Sequence, residues 1–338
     1  MNSITPNLTA DAADRLTRGE AIPPQSPENG YDQNWYPICY SADVVPDKVY
    51  GTEFMNGRVI VIRDQDGKAQ VLSAYCRHLG ADLGGGEVIG GTVRCPYHHW
   101  RYDSTGVCVA TAVADKPPAN AKLFHFPTAE AFGFVWAFNG TEPLCPVPHF
   151  PLPEDQLEYR AEFDVLTPHD HFIPYSNSSD IQHLMAVHKI QLDVNPEDVE
   201  ITPHRMHYFQ TMDVPGIGKL RQEVFVFGTN CVIFMSQFMG RLVMNMSNGK
   251  ALNGNRTLHT MITATPKGTG QPGEAELIDM ALAEGMRFGR QLFNEDMPIM
   301  NRLKFRRDIL THSDRMLARY LDYVRSYPRT SIACDMIA

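Results

Sequence analysis

Two short segments, Cys76-Arg77-His78 and Cys95-Pro96-Tyr97-His98, stand sixteen residues apart and constrain this chain more than any other feature. Each carries one thiol and one imidazole, and Gly84-Gly85-Gly86 lies between them. Four such donors suit two sulfide-bridged irons, with thiolates on one iron and imidazoles on the other. Because imidazoles are neutral, that centre carries less negative charge than an all-thiolate one and accepts an electron more readily. The competing occupant is a single zinc ion, but zinc-finger spacing groups cysteine with cysteine and histidine with histidine. Here each loop holds one of each, which favours the two-iron centre.

The surroundings of the loops extend the pattern. The glycines at 84–86 and the run Cys95-Pro96-Tyr97-His98-His99-Trp100-Arg101-Tyr102-Asp103 resemble the Rieske domains of ring-hydroxylating and sterol-hydroxylating oxygenases. Trp35-Tyr36-Pro37 resembles the segment with which many such domains begin. The resemblance implies that Cys76, His78, Cys95 and His98 hold a Rieske [2Fe–2S] cluster. Many relatives carry glycine where His99 stands, so His99 is not assigned to it.

With 338 residues, 43% of them hydrophobic, the chain can fill two domains. No apolar run is long enough to span a bilayer, and the N-terminus lacks a signal-peptide pattern. Cys39, Cys108, Cys145, Cys231 and Cys334 are scattered, which fits a reducing cytoplasm better than a disulfide framework. A formal net charge of −9 argues against sequence-independent nucleic-acid binding.

Residues 1–33 are polar and proline-containing and read as an arm, with a short helix only at Ala10 to Leu16. From 34 to 150 the pattern is short strands and turns: 58–63, 69–74 after the Asp64-Gln65-Asp66-Gly67 turn, and 132–138. Gly80 and Gly84 to Gly86 allow tight turns and close backbone approach to the cluster. The prolines at 143, 146, 148, 151 and 153 suggest an extended linker. A second domain over 155–338 is expected to mix strands (224–227, 232–235, 258–265) with helices. One helix places Leu277, Met280, Ala281, Phe288 and Leu292 on one face, and another, capped by Asp314, buries Leu317, Tyr320, Leu321 and Val324. The expected fold class is α+β: an all-β N-terminal domain, then an α+β domain with an antiparallel sheet and flanking helices.

A second candidate metal site lies at 177–188. His183 and His188 are five apart, which on a regular helix separates them by about 140° around the axis. They share one metal only if the helix is distorted or ends between them. Asp180, three before His183, is placed to accept a hydrogen bond from that histidine's free ring nitrogen. Two histidines and a carboxylate form the facial triad of non-haem Fe(II) oxygenases. Alone, this spacing is weak; about eighty residues beyond the first motif it gains weight. The resemblance to Rieske non-haem iron oxygenases, over roughly residues 35 to 310, implies that His183 and His188 bind iron. It also implies that Asp180 links His183 to His98 of the partner subunit, and that Asn177 is a polar residue near the iron. For the third ligand the candidates are Asp279, Glu284, Glu295, Asp296 and Asp308. Glu295-Asp296-Met297-Pro298-Ile299 resembles the acidic pair that carries this ligand in relatives, which favours Asp296, with Pro298 disturbing the helix nearby.

The resemblance implies a terminal oxygenase of a multicomponent system, a homotrimer that uses O2 to hydroxylate an apolar substrate. No dinucleotide-binding glycine fingerprint is present, so electrons from NAD(P)H would come through a separate reductase or ferredoxin. Arg77, Arg94 and Arg101 are candidates to steer an acidic ferredoxin, with local packing the competing role. Phe225, Phe227, Phe234, Met235, Phe238, Met239, Met244 and Met246 supply either an adaptable apolar pocket or core. Trp100-Arg101 resembles steroid- and sterol-acting members, which suggests a polycyclic, steroid-like substrate. A non-catalytic Rieske electron carrier is the alternative; it has no need of Asp180, His183, His188 and Asp296.

Overall fold

The computed structural model describes residues 21–238, 240–306 and 309–338. The expected helix at Ala10 to Leu16, together with Met239 and Asp308, lies outside them.

The N-terminal half is all β. One antiparallel sheet orders His125–Phe126, Ala69–Ser73, Gly57–Arg63 and Tyr50–Phe54, and a second orders Thr128–Ala131, Phe134–Phe138 and Trp35–Tyr40. β-Branched and aromatic residues form these strands because both faces are covered: Val59, Ile60, Val61 and Ile62 are all fully buried. A third, small sheet of Glu87–Ile89, Thr92–Arg94, Arg101–Tyr102 and Cys108–Ala110 carries the second Cys-His loop at its turn.

The C-terminal half is built on an eight-stranded antiparallel sheet, with Leu157–Thr167 at one edge and Gln191–Asp193 at the other. The three expected strands are longer than the apolar runs suggest, extending over Gly218–Phe227, Cys231–Phe238 and Arg256–Pro266. Along Cys231–Phe238, Cys231, Ile233 and Met235 face a core shared with Trp35, Phe134 and Trp136 of the N-terminal half, while Val232 and Phe234 face the helices. Burial on both sides explains an unbroken apolar run in place of alternation. The proline-rich segment is not free-standing: Phe150 is buried in the same core, and Cys145 O accepts from Trp35 Nε1 at 2.8 Å.

The helix Glu274–Met300 lies on the sheet, and its buried residues are Ala281, Leu282, Gly285, Met286 and Met300. Leu277 and Met280, expected on the inner face, are 42% and 41% exposed. Gly285 brings the helix close enough that an added Cβ would meet Thr263 Cγ2 at 2.8 Å, so small residues fix which stripe faces inward. The helix also runs past Pro298 to Met300. The helix Arg315–Ser326 buries Leu317, Tyr320, Leu321 and Val324 as expected. Asp314 precedes that helix but does not cap it: its carboxylate accepts from Thr311 N at 2.6 Å, closing a capping box on the preceding turn.

The chain's two described ends meet. Tyr31–Asp32 pairs with Arg329–Thr330, and the fully buried Asp32 carboxylate bonds Arg329 Nε at 2.7 Å and His171 Nε2 at 3.1 Å. Cys334 and Ile337 pack among Phe54, Met55 and Val59 of the N-terminal half.

Candidate metal centres

The two Cys-His loops are built alike. Gly80 N donates to Cys76 O at 2.9 Å, and His99 N donates to Cys95 O at 3.2 Å. The residue four beyond each cysteine therefore closes the turn, with φ of 77° at Gly80 and 55° at His99. Glycine adopts that conformation freely and histidine does not, so His99 holds its turn against a steric cost that Gly80 does not meet. The His99 side chain is exposed, and its part is in the turn. Gly86 permits close packing of the loop base, where a Cβ would come within 2.4 Å of Arg94 O.

Cys76 and Cys95 are buried, 3% and 1% exposed, while His78 is exposed at the tip. The His78 and His98 rings are 4.7 Å apart, and Trp100 stacks on His78 at 4.5 Å. Tyr102 OH stands 3.1 Å from Cys76 Sγ and accepts from Arg77 N at 3.0 Å. Burial, then the nearby Cys76, pushes the Tyr102 phenol well above its ordinary range, so it stays protonated and is the donor toward the sulfur. Leu79 and Tyr97 rim the tip at 66% and 62% exposure. Of the three arginines, Arg94 pairs with Glu87, and Arg101 bonds Thr92 Oγ1 and Ile89 O. Local packing therefore accounts for these two.

The second site is formed where one helix stops. Ile181–Ala186 ends before His188, so the two histidines turn to one point without a bulge. His183 Nε2 and His188 Nε2 are 3.0 Å apart, and Asp296 Oδ1 is 3.2 and 3.1 Å from them. Three donors about 2.1 Å from one ion and at right angles are about 3.0 Å apart, so this triangle has the size of an octahedral face. Asp296 Oδ1 is buried and makes no acceptable hydrogen bond despite those neighbours, the mark of a donor aimed at an ion. Burial works against ionisation of Asp296, but His183 and His188 outweigh it and bring the carboxyl to about 2. Among the described residues this is the group that brings three donors within 4.8 Å of one another. The Cys-His loops do not form such a group, whereas ligands of a single zinc ion lie within about 4.6 Å of each other. A larger, two-iron centre fits the loops better.

The supporting residues differ in part from expectation. Asn177 Nδ2 donates to Asp296 Oδ2 at 3.0 Å and so fixes which oxygen faces the histidines. Glu295, a candidate ligand by sequence, instead holds the far nitrogen of His188, Nδ1 to Oε2 at 2.7 Å, and is itself held by Gln291. Asp180 was expected to accept from the His183 ring; its Oδ1 accepts from His183 N at 2.9 Å and caps the helix. Asp279 pairs with Arg160 and Glu284 with Arg287, away from the triangle. Tyr102 and the true part of Glu295 carry no sequence signal beyond their spacing from a ligand.

A cavity opens on the triangle, walled by Pro174, Tyr175, Leu184, Phe234, Leu292 and Phe293 among others. A neighbouring cavity shares Phe234, Ser247 and Gly289 with it and includes Phe238. Of the aromatic and methionine set, Phe234 and Phe238 thus reach cavities, while Phe225, Phe227, Met235, Met244 and Met246 pack toward the N-terminal half. Strand alternation divides them.

Comparison with known proteins places these features. Residues 34–127 match the Rieske [2Fe-2S] domain family. The chain is 33% identical over 188 residues to cholesterol 7-desaturase nvd of Bombyx mori, covering 54% of this chain and 40% of that protein. It is 32% identical over 124 residues to the oxygenase component of 3-ketosteroid-9-alpha-monooxygenase of Rhodococcus rhodochrous, covering 37% and 32%. The matched region is thus less than half the length of either relative. In fold, the chain resembles Pseudomonas putida CBB5 NdmA with caffeine, with a TM-score of 0.67, 19% identity and coverage of 87% of this chain and 90% of that one. It also resembles dicamba monooxygenase bound to dicamba, with a TM-score of 0.62, 15% identity and coverage of 87% and 97%.

Proposed function

We propose that this chain, a Rieske-domain protein homologous to the Rieske oxygenases, is the terminal oxygenase of a multicomponent system. The observation that carries this is the triangle of His183 Nε2, His188 Nε2 and Asp296 Oδ1 opening on an apolar cavity. An electron carrier would need neither.

In this reading Cys76, His78, Cys95 and His98 hold the [2Fe–2S] cluster, and His183, His188 and Asp296 hold a mononuclear Fe(II). Bound there, the metals supply single-electron delivery and reductive activation of O2 beside a substrate C–H or C=C bond. The chain's own residues set the conditions. Glu295 accepts a hydrogen bond from Nδ1–H of His188 and so leaves Nε2 as a lone pair toward the metal. Asn177 occupies Asp296 Oδ2 and leaves Oδ1 for the same point. Asp180 secures the turn that aims His183. The apolar walls exclude water and favour a hydrophobic substrate, which the sterol- and steroid-named relatives suggest is polycyclic.

A division of the chain belongs to the same proposal: an arm over 1–33, then two domains, the Rieske unit over 34–150 and the catalytic unit over 155–338. So does a homotrimer in which Asp180 faces His98 of the partner subunit. The exposed apolar rim of Leu79 and Tyr97 beside His78 and His98 supports a docked tip. Electrons from NAD(P)H would arrive through a separate ferredoxin or reductase, in the cytoplasm. No described helix is long and apolar enough to cross a membrane.

Metal and sulfide analysis tests the assignment: about three irons and two acid-labile sulfides per chain are expected, against about two and two for a carrier. His183→Ala should lower iron to about two per chain and abolish oxygenation while keeping the Rieske spectrum. Full iron content in that variant would remove His183 from the site.

A further inference from the structure

Behind the cavity wall stands a histidine that the proposed chemistry does not use. His259 is 1% exposed and bracketed by two hydroxyls, Thr167 Oγ1 at 2.9 Å from Nε2 and Tyr175 OH at 3.0 Å from Nδ1. Thr167 and Tyr175 both line the cavity that contains His183, His188 and Asp296. Burial, then the nearby His171, push the imidazole down to about 3, so the ring is neutral, with one N–H and one lone pair.

Proton bookkeeping then fixes the outcome. Two hydroxyls and one ring N–H supply three protons, and the two internal hydrogen bonds use two of them. If Tyr175 donates to Nδ1, Nε2–H donates to Thr167 and the Thr167 proton is left over. In the other tautomer the proton of Tyr175 is left over. Thr167 and Tyr175 belong to a wall otherwise made largely of Pro174, Leu184, Val232, Leu292, Phe293 and Met297. An unmatched donor in such surroundings is costly, and a ligand oxygen would satisfy it.

We infer that Thr167, His259 and Tyr175 form a one-proton donor that seats a single keto oxygen of an otherwise apolar ring substrate, which rests on the terminal-oxygenase reading of this cavity. Thr167 and Tyr175 would touch the substrate, and His259 is a positioning residue that decides which of them donates. The cavity should therefore select a ring ketone over the same skeleton lacking oxygen.

Equilibrium dialysis of the cluster- and iron-loaded protein tests this with androst-4-en-3-one and androst-4-ene as probes. The ketone should bind about tenfold more tightly in the native protein, the worth of one buried hydrogen bond. The double variant Thr167→Val, Tyr175→Phe should bring the ratio near one. His259→Gln, which keeps a donor and an acceptor, should retain more of the ratio than His259→Leu. A merely structural role would weaken both probes alike and leave the ratio intact. Equal affinities in the native protein, no binding of the ketone, or a ratio that survives the double variant would each overturn the inference. The native comparison decides even where a variant does not fold. Failure of the terminal-oxygenase reading is seen separately, as a native protein with two irons per chain in place of three.

Discussion

Tyr102 offers the sharpest quantitative test of the cluster loops. Tyr102→Phe removes one hydroxyl from a fully buried ring, 3.1 Å from Cys76 Sγ, with no change in packing volume to speak of. A hydrogen bond to a charged acceptor is worth about 1.5–3 kcal/mol and a neutral one about 0.5–1.5. One-electron reduction adds negative charge to the cluster and its sulfur ligands, so the bond should strengthen by about 1–1.5 kcal/mol on reduction. With 1.36 kcal/mol equivalent to 59 mV for one electron, the reduction potential should fall by about 45–65 mV. The phenol is pushed far above its ordinary range by burial, so no titration of Tyr102 confuses the comparison below alkaline pH. The assay is a redox titration that follows the EPR signal of the reduced cluster in the native protein and the variant. A shift under about 15 mV, or an upward one, would refute this account of the bond as a tuning contact to the sulfur.

Three further outcomes are expected. Glu295→Ala frees the Nδ1 side of His188 and should weaken mononuclear iron binding about 10–100-fold, read by dialysis against a chelator, with the cluster spectrum kept. His99→Gly relieves a left-handed residue and should stabilise the loop by up to about 1 kcal/mol, seen as slower loss of the cluster absorbance on heating. Lys250, held by Ile38 O and Thr52 Oγ1, is driven by burial from 10.5 to about 8. The unfolded chain then binds the proton more tightly, so stability should rise between pH 8 and 10.5, by about 3 kcal/mol at most. Lys250→Met should remove that rise in thermal melts, and an unchanged slope would refute the assignment.

The proposed metal ligands were legible because chemistry fixes their identity and spacing. Cys76, His78, Cys95 and His98 announce themselves, and the five-residue step from His183 to His188 already required a helix that is distorted or that ends between them. Asp296 needed the resemblance, because an acid on a long helix looks the same whether it faces an ion or water. What stayed hidden is what packing decides. Nothing local told Leu277 and Met280 that Gly285 would turn them outward. The seat of Glu295 on His188 depends on where two segments 107 residues apart meet. The chain Thr167–His259–Tyr175 spans three separate stretches and has no spacing to read.

The meeting of Asp32 with Arg329, 297 positions apart, bears on how the protein is made. During synthesis the strands that cradle the two Cys-His turns emerge long before the segment that seals their underside, since Cys334 and Ile337 close the core around Phe54 and Val59. Such distant closure is slow relative to local folding. The strands that carry the two Cys-His turns therefore lack part of one buried face until residues 329–337 have been made and have docked on them.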